Sequence, residues 1–340
     1  MIEFRIPEKD AQSVLGPDDG TVLGGSVRKI ELAATDDRVA LVRGAEAAYR
    51  ARGDCFFTSW NITRHYSNSE LDDAELLQLL FTRTFEPAGA ECGTRYSESE
   101  ACPKCGAGDS QIGFLRLDLR RLPKRAAIAR SIADEWVVNQ SLGEALVDAG
   151  LSGFALRPVL HRNAPLESVD LTTVPSGRRL LEAADEEGID HGSWEFWVWI
   201  NRTENDALFE GALAEAEGLS RSTSPPKNLP VWHQLEITAP PVPVAQPTRY
   251  GTTVFDEDPE GSYRCPLGHV AGLNLLSEIH VLRTNAPETD FAVTRELDGR
   301  RVGLLRPAPR LLVSQRARAV LDEHSFKGYR LEVAHLIGNR

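Results

Sequence analysis

The sequence predicts an α+β protein of two related lobes, each with a strand-helix-strand unit, the first lobe carrying a zinc knuckle. Three observations predict it. Short apolar runs suited to strands are interspersed with amphipathic stretches suited to helices. The segment Glu135 to Leu156, EWVVNQSLGEALVDAGLSGFAL, aligns without gaps on Arg310 to Leu331, RLLVSQRARAVLDEHSFKGYRL. Three of the five cysteines fall in Glu91 to Gly106, ECGTRYSESEACPKCG.

Taken in order, the first fifty residues suggest a strand at Val27 to Leu32 and a helix from Arg38 to Ala51, closed by Gly53. A second helix is expected from Glu70 to Thr82. Asn68 or Ser69 would cap it, Asp72, Asp73 and Glu75 suit its first turn, and Leu71, Ala74, Leu77 and Phe81 share one face. The cysteine stretch follows, and then IGFLRLDLRRLP, with the apolar residues of a strand.

The internal similarity organises what comes next. It pairs Val138 with Val313, Gln140 with Gln315, Leu146 with Leu321, Gly153 with Gly328, Phe154 with Tyr329 and Leu156 with Leu331. Each copy reads as a strand ending at a capping residue (Asn139 or Ser141; Ser314), then a helix, then a strand starting at the glycine. Each is also preceded by a cysteine element, the CPKCG turn in one case and YRCPLGH, Tyr263 to His269, in the other. An internal duplication is the expectation. Between the copies, SWEFWVWI (Ser193 to Ile200) reads as an aromatic strand and DALFEGALAEAEGL (Asp206 to Leu219) as an acidic helix. STSPPKNLP and APPVPVAQP bracket a strand in VWHQLEIT. The segments are therefore an N-terminal α+β lobe at 1–163, an acidic, proline-rich middle at 164–247 and a C-terminal α+β lobe at 248–340.

At 340 residues the chain can bury a core without disulfides. The N-terminus lacks the apolar stretch of a secretory signal, and no run approaches the ~18 apolar residues of a membrane span. A cytoplasmic setting with reduced thiols is expected. Against 38 basic residues stand 50 acidic ones, a net charge of -12, which repels phosphate backbones and makes nucleic acid an unfavourable partner. The local basic group Arg116, Arg120, Arg121, Lys124 and Arg125 reads as a solvated face or a contact to the acidic middle segment.

The chemistry lies in the cysteines. Cys102 and Cys105, two residues apart and followed by Gly106, form a CxxCG turn that lets two thiolates face one ion. Cys92 is the expected third ligand. Structural zinc takes four, and the fourth is sought in the second cysteine element, Cys265 or His269, with His65 and Cys55 as alternatives. A structural role for Zn²⁺ is expected, because three thiolates make a weak Lewis acid and no HExxH accompanies them. GxSxG, Walker A and GxGxxG patterns are absent too, so no catalytic residue is assigned.

The CPKCG element, the later cysteine turn, and the ending over Leu304 to Val333 (LLRP, a strand, S-x-R, a helix and a G-[FY] strand) resemble the double-CxxCG immunity proteins of bacterial toxin systems. The second element departs from that pattern, being CPLGH. The resemblance implies a cytoplasmic protein without catalysis that neutralises a cognate toxin by binding it. A basic toxin would suit the acidic charge. The alternative is an enzyme with its site in the cleft between the lobes.

Overall fold

The computed structural model describes all residues except 98, 100, 163–170, 192, 194–195, 197–198, 200–207, 209–210, 213–214, 216–228, 258–264, 266–268, 271, 300–303 and 339–340. It is mixed α+β, with more strand than helix and six α-helices among the described residues. No helix of the described residues is long and apolar enough to cross a membrane.

The N-terminal sheet has the order β2-β3-β1-β4, from β1 (Ile2–Pro7), β2 (Thr21–Leu23), β3 (Val27–Leu32) and β4 (Ser59–Ile62). Alternate residues Phe4, Ile6, Ile30 and Leu32 are buried with Val39 and Val42 of helix α2 (Asp37–Arg50). The short helix α1 (Glu8–Ala11) follows β1 directly. Asp36 caps α2, accepting from the Arg38 amide.

The expected helix at 70–82 is corrected. Helix α3 covers only Asn68–Asp73, capped by Ser67 in a capping box with Glu70, and the chain then becomes strand β5 (Leu76–Phe81). LLQLLF is a continuous apolar run, and the strand lies in the middle of a sheet with Leu76 on one buried face and Leu77 and Leu79 on the other. A helix would have buried one stripe and exposed the rest.

Two five-stranded sheets form the centre. One has the order β12-β14-β11-β10-β6, from β6 (Thr84–Phe85), β10 (Ile128–Ser131), β11 (Trp136–Asn139), β12 (Phe154–Pro158) and β14 (Trp232–Ile237). The other is β18-β21-β5-β20-β19, with β18 (Ile279–Leu282), β19 (Phe291–Val293), β20 (Leu311–Val313) and β21 (Tyr329–Ile337). Helix α4 (Gln140–Asp148) joins β11 to β12, and helix α6 (Gln315–Glu323) joins β20 to β21. Asn139 caps α4 and Ser314 caps α6, as the aligned sequences predict.

The sheets share a register. In each, the two strands flanking the helix run parallel with one antiparallel strand between them, β14 in one and β5 in the other. Val138 pairs with Ile128 and His233; its aligned partner Val313 pairs with Phe291 and Leu77. The contacts between sheets are reciprocal. Phe291 N donates to Ser152 O, and Ala127 N to Lys327 O. A Cβ on Gly153 would lie 2.1 Å from Phe291 O, and one on Gly328 2.0 Å from Ile128 O, so both close approaches require glycine. Leu142, Leu146, Val320 and Leu321 fill the shared core. The sheets do not follow the segment boundaries: β5 comes from 1–163 but pairs with C-terminal strands, and β14, from the middle segment, pairs with N-terminal ones.

The smaller pairings are β7 (Arg95–Ser97) with β8 (Ser110–Ile112), β9 (Arg116–Leu117) with β13 (Leu160–His161), and β16 (Asp256–Glu257)-β15 (Tyr250–Thr253)-β17 (Asn274–Leu275). In SWEFWVWI, Phe196 and Trp199 are helical, correcting the expected strand there; they are buried against helix α5 (Pro175–Glu186), and 194–195, 197–198 and 200 lie outside the described residues. Three-residue spacing puts both rings on one helical face. Leu208, Gly211, Ala212 and Glu215 are helical, as expected for Asp206 to Leu219. Most of STSPPKNLP lies outside the described residues.

Candidate metal centre

The CPKCG turn hangs between β7 and β8. Gly106 N donates to Cys102 O at 2.8 Å and Cys102 N to Ala107 O at 2.8 Å, closing a tight loop. Gly106 has φ 69° and Gly108 φ 88°, left-handed conformations that glycine takes without penalty. Inside this loop the backbone N–H groups of Cys105 and Lys104 point at the Cys102 sulfur, and that of Ala107 at the Cys105 sulfur.

The second cysteine element meets this loop. Cys102 Sγ lies 3.4 Å from Cys265 Sγ, and Cys105 Sγ 3.4 Å from His269 Nδ1. The ligand atoms of Cys102, Cys105, Cys265 and His269 all lie within 4.8 Å of one another. Four ligands at ~2.0–2.3 Å around a tetrahedral ion would stand roughly 3.5–3.8 Å apart, so the group is sized for one metal ion. Cys102 and Cys265 are buried. Cys265 N donates to His269 O at 2.9 Å, so backbone pairing sets the two ligands of this element side by side.

Proton affinities within the group diverge. Burial opposes ionisation of Cys102, but the amides of Cys105 and Lys104 and the neighbouring Cys265 and Cys105 thiols outweigh it and hold this thiol below its usual range. Cys105 is pushed up, by burial first and then by the adjacent sulfurs. Amides directed at the Cys102 sulfur favour its ionised form, the form in which cysteine binds a cation.

Both parts of the second element thus join the CPKCG turn. Cys92 does not belong to the group of four. Its thiol is buried beside the Asp118 backbone amide, and burial raises its pKa. Nor do the alternatives Cys55, which is exposed, and His65. Of the basic group, Arg116 is buried, while Arg120, Arg121, Lys124 and Arg125 are exposed.

Several residues that hold the loop were not singled out by the sequence. Arg306 pairs with buried Asp109 at 2.9 Å, and its guanidinium lies 3.5 Å from the Tyr96 ring centroid. Tyr96 donates to Glu135, a buried carboxylate that also accepts from Gly89 N and from the Ser131 hydroxyl. An aromatic one residue after Arg95 and an Asp four after Cys105 carry no signal alone; only folding brings Arg306 to them. No family model, curated protein or solved structure matches the chain.

Proposed function

We propose that Cys102, Cys105, Cys265 and His269 hold a structural Zn²⁺ and that the protein acts by binding another protein, as an immunity protein neutralising a toxin. The carrying observation is the closed donor set: four protein ligands from two distant segments leave no position for a substrate or water, which is the pattern of structural and not catalytic zinc. The CPKCG turn is then a zinc knuckle, its amides directed at the sulfurs, and the ion's contribution is a cross-link that fixes both loops. The net charge of -12 supports a basic partner, because complementary charge speeds encounter. The common register of the central sheets, with reciprocal contacts at Gly153 and Gly328, supports a duplicated ancestral unit.

The test is protection. Cells expressing the chain are expected to survive a toxin encoded beside its gene, and the purified proteins to form a stoichiometric complex. If the chain protects against none of the neighbouring toxins and binds none of them, the immunity reading fails while the metal reading stands or falls on elemental analysis.

A further inference from the structure

We propose that a second site, the cleft floored by Gln78 of β5 and Glu332 of β21, binds a small organic anion. The two residues are direct cross-strand partners, and Leu80 and Arg330 are the next pair on that face. On the same face, Leu312, the partner of Gln78 on β20, and Leu76 and Ala334 farther along are apolar and buried. Gln78, 2% exposed, and Glu332, 1% exposed, therefore interrupt an apolar surface where it opens into a cavity. The cleft has a volume of about 580 Å³ and is continued by an inner recess of about 170 Å³ that shares Gln78, Asp134 and Arg310 with it. That is the size of a small-molecule site.

Unmet hydrogen-bonding capacity is concentrated here. Gln78, Arg130 and Trp136 line the recess, and their Oε1, Nε and Nε1 atoms are buried without a hydrogen-bond partner among the described residues, as is Glu332 Oε1 at the floor of the cleft. Two acceptors and two donors without hydrogen-bond partners are costly unless a ligand or water meets them. The other central sheet provides an internal comparison. By register Gln234 holds the place of Gln78, and its amide exchanges two hydrogen bonds with Gln111, at 3.0 and 2.8 Å. The glutamine facing a packed neighbour is satisfied; the one facing the cleft is not.

The charge is of the right sign. Glu332 serves two guanidiniums, Arg64 at 2.9 Å and Arg330 at 3.2 Å. Arg310 pairs with Asp298, Arg306 with Asp109, and Arg130 with Asp134. Five cations thus meet four carboxylates, a local positive surplus in a chain of net charge -12. Asp134 sits at φ 60°, a conformation uncommon for a residue other than glycine and frequent where geometry serves a site. The fitting ligand carries a phosphate or carboxylate for the arginines and an N–H or O–H for Gln78. Trp60 of β4 also lines the cleft.

Isothermal titration of the full chain with three probes tests this: inorganic phosphate, adenosine monophosphate and citrate, each against sodium chloride of equal ionic strength. Saturable binding of at least one organic probe is expected, weakened tenfold or more in Arg330→Gln and in Gln78→Leu, with metal content and near-ultraviolet dichroism unchanged. Preference for the monophosphate identifies a phosphate ligand, and preference for citrate a carboxylate. Binding of no probe beyond the salt control, or equal binding in wild type and both variants, overturns the proposal. If Arg330→Gln does not fold, Gln78→Leu and Trp60→Ala decide.

Discussion

Replacing Cys265 by serine tests the metal centre most directly. Cys102 and Cys265 are 163 positions apart. A cross-link closing a loop of that length stabilises by about 5 kcal/mol in the chain-entropy model. An exchangeable metal bond and a denatured chain that keeps contacts of its own reduce this, so a loss of about 3 kcal/mol is expected. For a chain of this size that lowers the melting temperature by on the order of 10 °C or somewhat less. The assay pairs elemental analysis with thermal unfolding, each with and without a chelator. Wild type is expected to carry one Zn²⁺ and to lose stability on chelation; Cys265→Ser is expected to lack the ion and ignore the chelator. Cys55→Ser, altering an exposed thiol outside the group of four, should match wild type in both. Metal-free wild type of full stability would refute the site, and Cys92→Ser losing the ion while Cys265→Ser retains it would refute its ligand set.

Three further outcomes follow from the packing. Gly328→Ala brings a methyl group 2.0 Å from Ile128 O at φ 114° and should cost about 3 kcal/mol or more in urea unfolding, whereas Gly272→Ala, at φ 100° with no described atom within 4 Å of the added methyl, should cost only about 1–2 kcal/mol of backbone strain. Glu135→Ala strands the Gly89 amide and the Tyr96 and Ser131 hydroxyls in the interior and should destabilise by about 3 kcal/mol or more, read by the same method. His280 is held below its usual pKa, by burial first and then by the charge of His335. The unfolded chain therefore takes up this proton more readily, so the contribution is complete above about pH 6.5 and is lost as pH falls through the lower folded value. Melting temperatures between pH 7 and 5 should fall less steeply in His280→Asn, a difference in which the acid sensitivity of the metal centre cancels.

Local grammar was legible wherever sequence and packing agree. The strand at Val27–Leu32, helix α2, the two aligned strand-helix-strand units and their caps at Asn139 and Ser314 could all be read from periodicity and capping residues. LLQLLF could not, because Leu71, Ala74, Leu77 and Phe81 fit a helical stripe while the same leucines fit a strand covered on both faces; only the surrounding strands decide. Gln78 is the one polar residue in that run. For the Cys/His cluster, the CxxCG spacing singled out Cys102 and Cys105, and the internal sequence similarity pointed to Cys265 and His269. Cys92 was favoured by proximity in sequence, but β7 carries the chain away from it before the turn closes.

The placement of β5 has a consequence for how the protein is made. At about 5–20 residues per second, the 244 positions separating Leu71 from its hydrogen-bond partner Gln315 take about 12–50 s to translate. For that interval LLQLLF is out of the ribosome with neither flanking strand available, a sticky segment waiting for its sheet. Nascent chains of this protein should therefore depend on chaperones until the last strands emerge, and fragments ending before β20 should be insoluble.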